Sequence, residues 1–348
     1  MKHTHLHTRL LALLLCCVLV LPLSACGEAK STTQQIFAMD TVMDLTAYGK
    51  KADDGINAAI SIINSMDKLL DPENEHSKTY EINHAMGSPV VVNEQIAKML
   101  RTAMTVYERS NGAFDLTTYP LSKLWGFIDQ NYRVPSDAEI ERLLPCVDMS
   151  KVQLSATDDS ANSLVTMPAD MALSFGAVAK GCASEYAIQA MRAAGVTSGV
   201  VSLGGNVQTL GKKPDGSDWN IAIQDPNDTG SYLGYLTVGE TAVITSGSYQ
   251  RYFTEGGQKY HHILSPSTGR PVNNGLLSVT IVCEDGTLAD CLSTAMFVLG
   301  PQAALNYWRT YGGFEMLLVR TDGHVVITNG LYGQFTPNGD SYVVDYAS

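Results

Sequence analysis

Apolar side chains recur every three or four positions along several stretches of the chain, which is the spacing of one face of an α-helix. The first two stretches span residues 53–70 and 93–112, and an Asn-Gly pair ends the second. A third, residues 135–144, begins with Ser136 followed three positions later by Glu139, the signature of a capping box. The first half of the chain is therefore expected to contain helices that cover a core.

From about residue 196 the pattern changes to short β-rich runs separated by Gly- or Pro-rich turns. These connections are too short for helical crossovers, so neighbouring strands are expected to run antiparallel. The predicted strands are 198–203, 207–211, 219–224, 232–239, 242–247, 249–253, 259–264 and 276–282. Helices at 287–300 and 303–313 interrupt them, and further strands follow with turns at 321–323 and 338–339. The predicted fold class is α+β, with helices packed on mostly antiparallel sheets.

The first 25 residues carry a different pattern. Lys2 and Arg9 stand at the start of a leucine-rich run whose small residues lead directly to Cys26. This order is typical of bacterial lipoprotein signals, which are cleaved before a cysteine that then becomes acylated. The alternative is an ordinary signal peptide that is followed by a cysteine by chance. We expect a signal peptide over 1–25, a linker over 26–36 after the lipidated Cys26, and one domain over 37–348. A lipid anchor would hold that domain at the bacterial membrane, outside the cytoplasm.

Composition limits the remaining possibilities. The chain has 348 residues, of which 45% are hydrophobic, and this is enough for a large core. Its net charge of −12 argues against a nucleic-acid-binding protein. Cysteines 146, 182, 283 and 291 lie in apolar segments without C-x-x-C spacing, so buried free thiols are favoured over disulfides or a zinc site.

The stretch SFGAVAKG, residues 174–181, precedes a helical pattern over residues 183–194. Ser174 stands where an N-cap is expected, and Gly176 would allow a tight bend into the first turn. A helix start attracts anions through its free amides, and Lys180 adds a full positive charge. Two interpretations are compatible with the pattern: a site for an anion such as phosphate, or an exposed lysine in an unfavourable position.

Two other groups of polar residues are candidates for chemistry. In the predicted helix 287–300, Asp290 and Thr294 lie one turn apart and opposite the apolar face. Their oxygens suit Mg²⁺, although a solvated polar face explains the same spacing and is favoured by it alone. His261 and His262 are adjacent in a predicted strand, so one of them can point into a given cavity. A histidine there would be a candidate general base, and a hydrogen-bonded structural histidine is the alternative.

Several segments between residues 37 and 300, taken in their order along the chain, resemble the FAD:protein FMN transferase family, the ApbE-like flavin transferases. The resemblance rests on segments that include GAFDLTTYPLSKLWGF at 112–127, FGAVAKGCASEYAIQAMRAAGV at 175–196, ITSGSYQRYF at 244–253, YHHILSPSTGRPVNNG at 260–275 and TLADCLSTAMFVLG at 287–300. It implies an α+β fold that holds FAD in a central cleft, with Mg²⁺ beside the pyrophosphate. It also implies that FMN passes from FAD to a threonine or serine hydroxyl of a partner flavoprotein, such as a subunit of a membrane redox pump, with release of AMP.

The resemblance also assigns site residues. It places the metal on the backbone oxygen of Ala177 and the side chains of Asp290 and Thr294. It places contacts with the flavin nucleotide on Met39, Ala113, Phe114, Asp115, Ser174, Lys180, Gly204, Gly205, Asn206, Ser246, Arg251 and Leu264. His262 falls beside the phosphates and is the leading candidate for the base. Asp290 is a weaker one, because metal ligation lowers its basicity.

The chain departs from the family pattern at Ser174 and Ser265, where many members carry an acid. Serine can still cap a turn or hydrogen-bond to a ribose, so FAD binding is expected to survive. Two alternatives use the same residues: a pyrophosphatase that splits FAD into FMN and AMP with water, and a lipoprotein that binds flavin without chemistry.

Overall fold

The computed structural model describes residues 30–159 and 161–347. The predicted signal peptide, residues 1–25, and the predicted lipidation site, Cys26, lie outside the described residues. From Ser31 onward the chain forms one compact unit. No described helix has both the length and the apolar character needed to cross a membrane.

Among the described residues, six helices lie close to where the apolar periodicity predicts them, and two short ones, Lys78–Asn83 and Tyr119–Leu124, lie outside those predictions. Within the described ranges they are α1 (Ala52–Leu70), α2 (Lys78–Asn83), α3 (Glu94–Arg109), α4 (Tyr119–Leu124), α5 (Asp137–Leu143), α6 (Ala179–Ala193), α7 (Gly286–Leu299) and α8 (Pro301–Tyr311). The backbone amide of Ser136 donates to Glu139 Oε2 at 2.9 Å, so the predicted capping box is confirmed.

Most of the strands join one large sheet. The strands are β1 (Ser31–Ala38), β2 (Thr41–Tyr48), β3 (Val90–Asn93), β4 (Gln153–Ala156), β5 (Asn162–Thr166), β6 (Gly199–Leu203), β7 (Asn206–Leu210), β8 (Trp219–Gln224), β9 (Tyr232–Val238), β10 (Ala242–Gly247), β11 (Tyr252–Glu255), β12 (Gln258–His261), β13 (Leu276–Cys283), β14 (Glu315–Arg320), β15 (His324–Thr328), β16 (Phe335–Pro337) and β17 (Val343–Ala347). In the described part of the chain, nine of them form the main sheet in the order β1-β2-β6-β7-β10-β13-β14-β15-β17. Its pairs are antiparallel except β15 with β17, which confirms the predicted sheet type.

The main sheet separates two apolar cores. Met316 and Leu318 of β14 pack into the core formed with the helices, whereas Leu317 and Val319 pack into a second core with the small sheet β16-β9-β8. Alternate residues of a strand point to opposite faces, so one apolar run serves both cores. The sheet is therefore covered on both faces, and β2, β6, β7 and β10 bring their turns and ends to the cleft described below.

The predicted linker is wrong from Ser31 onward. Residues 31–38 pair along their full length with β2, from Ser31 opposite Tyr48 to Ala38 opposite Thr41. This strand stands at the edge of the sheet, where polar side chains face solvent, and its polar composition therefore resembles that of a linker.

The predicted start of the helix after SFGAVAKG is also wrong. Helix α6 begins at Ala179, and its N-cap residue is Val178. The Ser174 hydroxyl instead accepts a hydrogen bond from the amide of Gly176 at 3.2 Å, so it caps a turn that precedes the helix. Gly176 has no positive φ and room for a Cβ, so the bend does not require glycine there.

Smaller differences concern one predicted strand and one cysteine. Residues 249–251 form a turn instead of the start of a strand, and His262 follows the end of β12. Cysteines 146, 182, 283 and 291 are free, as predicted; all are buried except Cys146, which is half-buried.

Candidate functional site

The predicted site residues line one cleft between α6, α7 and the ends of the central strands. In the part of the chain that the structure describes, two adjoining cavities of about 170 and 1280 Å³ form this cleft. They share the lining residues Ile128, Ser174, Gly176, Lys180, Thr245, Gln250, Arg251 and His262. Every flavin, metal and base residue assigned by the resemblance, from Met39 to Thr294, lines one cavity or both.

Two tight hairpin turns form one side of the larger cavity. The β1–β2 turn holds Met39 and Asp40 at positive φ, and the β6–β7 turn does the same with Gly204 and Gly205. A Cβ on Gly204 would lie 2.6 Å from the Thr41 hydroxyl oxygen, so glycine is required for the two turns to lie side by side. The amide of Met39 is held by Asp67 Oδ1 at 2.8 Å, which fixes the unusual backbone of the first turn.

The Asp290 carboxylate lies at the crossing of α6 and α7. Its Oδ2 accepts from the amide of Gly181 at 2.8 Å, and its Oδ1 accepts from Asn206 Nδ2 at 3.0 Å. Burial raises its pKa above the ordinary aspartate value, while the charge of Lys180 and these hydrogen bonds act in the opposite direction. The solvated polar face predicted from spacing alone is therefore wrong: Asp290 is 3% exposed and aimed at the cleft.

A carboxylate of the protein itself, that of Asp290, accepts a hydrogen bond from an amide in the first turn of α6. Gly181 donates its amide to Asp290, and the Ala179 amide donates to the carbonyl of Phe175 at 2.8 Å. The expectation that free amides of this helix bind a phosphate is therefore not met at these two positions. The positive charge offered to a ligand comes from the side chains of Lys180 and Arg251, which line both cavities.

The two adjacent histidines have opposite surroundings. His261 is buried; its Nε2 donates to the Val272 carbonyl at 2.7 Å, and its Nδ1 accepts from the Ile263 amide at 3.3 Å. His262 lines both cavities, and its Nδ1 lies 3.1 Å from the Arg251 carbonyl. Because a carbonyl only accepts, Nδ1 carries the proton and Nε2 keeps its lone pair. Burial, with the nearby Arg251 charge, lowers the pKa of His262 to about 3, so its imidazole is neutral.

The side chains of Phe114 and Asp115 belong to the wall of the cleft. The Phe114 ring is buried in the main core. Both Asp115 oxygens accept hydrogen bonds inside the protein: Oδ1 from the Thr117 amide at 2.7 Å and Oδ2 from the Met149 amide at 3.0 Å. Burial raises the Asp115 pKa. These bonds fix the turn that faces the cleft and engage both oxygens of the carboxylate.

The cleft suits a cation next to an anionic ligand. The side chains of Asp290 and Thr294 line the same cavity as Ala177. Among the described residues, no group of three or more His, Cys, Asp or Glu is arranged for a metal ion. One carboxylate with hydroxyl and carbonyl oxygens is nevertheless a donor set for Mg²⁺, which keeps waters and binds ligand phosphates. Asp290 fits this use because it is buried, accepts only neutral hydrogen-bond donors, and retains lone pairs.

Sequence reasoning missed Thr245 and Gln250, which line both cavities, and the buried Ser293, which contacts Ser246 and Asp290. Gln250 stands next to the assigned Arg251, but the predicted strand 249–253 includes both, and adjacent residues of a strand point to opposite faces. Ser293 adjoins Thr294, yet a buried serine gives no periodicity signal.

Comparisons with known proteins agree with this geometry. The model of the ApbE family matches residues 39–318, a range that contains every cleft residue named above. The chain is similar to the FAD:protein FMN transferase of Klebsiella pneumoniae (strain 342), with 30% identity over 285 residues that cover 81% of this chain and 87% of that protein. It is 29% identical to the FAD:protein FMN transferase of Treponema pallidum over 326 residues, covering 88% and 90% of the two chains. The crystal structure of the ApbE protein of Thermotoga maritima superposes with a TM-score of 0.81 at 30% identity, covering 88% of this chain and 99% of that one.

Proposed function

This chain belongs to the ApbE family, and we propose from that premise that it is an FAD:protein FMN transferase whose acceptor is a hydroxyl group of a partner protein. Its curated relatives carry that activity in their names and match most of the chain. The finer proposal is that the reaction needs Mg²⁺, that the acceptor residue is a threonine or serine, and that AMP is the second product. The acceptor would be a flavoprotein, such as a subunit of a membrane redox pump.

One observation carries the proposal. Two cations, a neutral histidine and a buried carboxylate line a single cleft, although Lys180, Arg251, His262 and Asp290 come from distant parts of the sequence. The pyrophosphate of FAD carries two negative charges and needs such cations around it. Phosphoryl transfer depends chiefly on positioning and on the stabilisation of charge, and these groups can supply both.

The cation would be held by the side chains of Asp290 and Thr294 with the carbonyl oxygen of Ala177. When bound, Mg²⁺ neutralises charge on the pyrophosphate and on the departing phosphate. Asn206 and the amide of Gly181 hold the Asp290 carboxylate in place, since each donates to one of its oxygens. Lys180 would face the same phosphates from the first turn of α6.

His262 is proposed as the general base. Its Nδ1–H is fixed on the Arg251 carbonyl, so Nε2 is free to take the proton of the acceptor hydroxyl. The acceptor oxygen then bonds to the phosphorus on the FMN side, and the bond from that phosphorus to the bridging oxygen breaks, so that this oxygen leaves with AMP. Binding of the anionic pyrophosphate is expected to raise the low pKa of His262 and improve it as a base.

The test combines the mature chain with FAD, Mg²⁺ and a candidate acceptor protein, and follows both AMP and the acceptor mass. The proposal expects an acceptor heavier by one FMN, with one AMP formed for each transfer. Asp290→Asn keeps the shape but removes the charge, and it should slow transfer at least about 100-fold. Chelation of Mg²⁺ should abolish transfer and be reversed by added metal.

The same experiment separates the alternatives. AMP with free FMN and an unchanged acceptor mass would replace the transferase by an FAD pyrophosphatase. Intact FAD with every acceptor and metal tried, together with tight FAD binding, would leave a flavin-binding protein. Normal transfer by Asp290→Asn in the presence of a chelator would contradict the proposed metal site.

We also propose that the domain is held at the bacterial membrane, outside the cytoplasm, through acylated Cys26. The support is the sequence before this cysteine, with its basic start and apolar run. In cells, wild-type protein should sediment with membranes and partition into detergent. Cys26→Ser should not do so, whereas Cys146→Ser should behave like wild type. Equal membrane association of the first variant would refute lipid anchoring at this position.

A further inference from the structure

A row of hydroxyl groups connects Thr294 to the backbone of its own helix. Thr294 Oγ1 lies 3.3 Å from Ser246 Oγ, and Ser246 Oγ lies 2.8 Å from Ser293 Oγ. The Ser293 hydroxyl in turn donates to the carbonyl oxygen of Asp290 at 2.9 Å. The row therefore begins at the Thr294 hydroxyl, passes through Ser246 of β10, and ends at the backbone carbonyl of Asp290. Thr294 and Asp290 are the two residues whose side chains form the proposed cation site.

The proton positions in this row follow from its end. A carbonyl oxygen only accepts, so the single proton of Ser293 lies toward Asp290. The 2.8 Å contact between Ser246 and Ser293 then requires Ser246 to be the donor. With its proton used, Ser246 can only accept from Thr294. One arrangement satisfies all three contacts, and in it the Thr294 hydroxyl directs its proton to Ser246 and keeps its lone pairs for another partner.

We propose that Ser293 and Ser246 are positioning residues that set the Thr294 hydroxyl as an acceptor toward the cation. This inference rests on the proposed function, because the cation site belongs to it. Without the row, the Thr294 hydroxyl can rotate and point its proton toward the cation. The partial positive charge of that proton would repel the cation and weaken its binding. The row therefore contributes to cation affinity without touching the cation.

Ser293 is the clearer of the two positioning residues. Its side chain is fully buried and does not line either cavity, so it is out of reach of a ligand in the cleft. It is held by Asp290 on one side and Ser246 on the other. Any effect of Ser293 on metal binding must pass through neighbouring groups.

The test measures Mn²⁺ binding to the mature chain without FAD or acceptor, by the electron paramagnetic resonance signal of free Mn²⁺. Ser293→Ala and Ser246→Ala should each weaken Mn²⁺ binding about fivefold, which corresponds to the loss of one hydrogen bond. Ser278→Ala is the matched control: its buried hydroxyl has no hydrogen-bond partner in the described residues, and its loss should leave Mn²⁺ binding unchanged. FAD affinity measured in chelator should not change in Ser293→Ala.

A double-mutant cycle distinguishes orientation from general loosening of the helix. In a Thr294→Ala background there is no hydroxyl to orient, so adding Ser293→Ala should cost no further Mn²⁺ affinity. A further fivefold loss there, or unchanged affinity in both single variants, would overturn the inference. The readout needs no catalysis, so a chain that fails to transfer FMN but shows this cycle would refute the transferase and leave the positioning role intact.

Discussion

At the scale of single residues, the pair His261 and His262 shows how neighbouring side chains of one type receive different tasks. Both imidazoles are neutral at pH 7, because burial lowers the pKa of each. Both ring nitrogens of His261 are engaged, whereas Nε2 of His262 is not engaged by another described residue. The alternation of a strand predicted that one histidine would face a cavity, and the hydrogen bonds identify which one.

His262→Gln should slow FMN transfer by about 10² to 10⁴, the usual range for a general base, and change FAD affinity little. His261→Gln is the comparison: it should lower stability, while the rate per folded molecule stays near that of wild type. Single-turnover rates at saturating FAD, with the folded fraction from circular dichroism, measure both. A His262→Gln rate equal to that of wild type would remove this residue from the chemistry.

At the scale of elements, the cleft depends on how closely α6 and α7 approach. A Cβ on Gly181 would lie 2.1 Å from the Gly286 carbonyl oxygen and 2.5 Å from Asp290 Cβ. The helices therefore touch backbone to backbone at this crossing, and only this distance lets the Gly181 amide reach the Asp290 carboxylate. The second glycine of the SFGAVAKG stretch is needed for packing against a residue more than 100 positions away.

Gly181→Ala should therefore destabilise the protein by about 1–3 kcal/mol, the usual cost of overpacking, and weaken Mn²⁺ binding because Asp290 is displaced. Gly176→Ala is the matched control for stability: its nearest atom, Ser174 Oγ, would lie 3.5 Å from the new Cβ, an ordinary contact. Urea unfolding of both variants gives the comparison. Equal stability of Gly181→Ala and wild type would show that the crossing can widen freely.

Local patterns predicted most helices and the sheet type, because periodicity and caps act within a few residues. They failed where a residue distant in sequence determines the local structure. The start of α6 lies beyond Ser174 because that hydroxyl caps a turn, and Asp290 supplies the anion at the helix start. The composition of β1 predicts a linker, but its polar residues are held by pairing with β2, a partner that this composition does not reveal. The resemblance identified the residues that line the cleft, but it did not identify the row of hydroxyl groups through Ser293.

At the scale of the whole molecule, one sheet with a core on each face holds the site. Strands β2, β6, β7, β10 and β13 are neighbours in the sheet, but among them only β6 and β7 follow one another directly in sequence, so local patterns do not give the order of the others. The chain has a net charge of −12, and Lys180 and Arg251 place two of its positive charges at the cleft. These two charges favour the binding of an anionic group to their part of the cleft.

The stability of the whole molecule should fall on mild acidification, in part because of His261. Its ordinary pKa, near 6.5, applies to the unfolded chain, and burial lowers the pKa in the folded protein. Above pH 6.5 both states are neutral and the residue adds no pH dependence. Below pH 6.5 His261 becomes protonated in the unfolded chain but stays neutral in the folded protein. The free energy of unfolding therefore falls by up to about 1.4 kcal/mol per pH unit until the pKa of the folded state is reached.

A comparison of variants isolates this contribution, because His262 and the carboxylates are the same in each. Urea unfolding at about pH 7 and about pH 5 should show a smaller loss for His261→Gln than for wild type, even if the variant is less stable at both. His76→Gln, whose parent side chain is 86% exposed, should lose as much stability as wild type. An equal loss in all three proteins would mean that His261 takes up its proton without unfolding, and that the bond from Ile263 to its Nδ1 is dispensable.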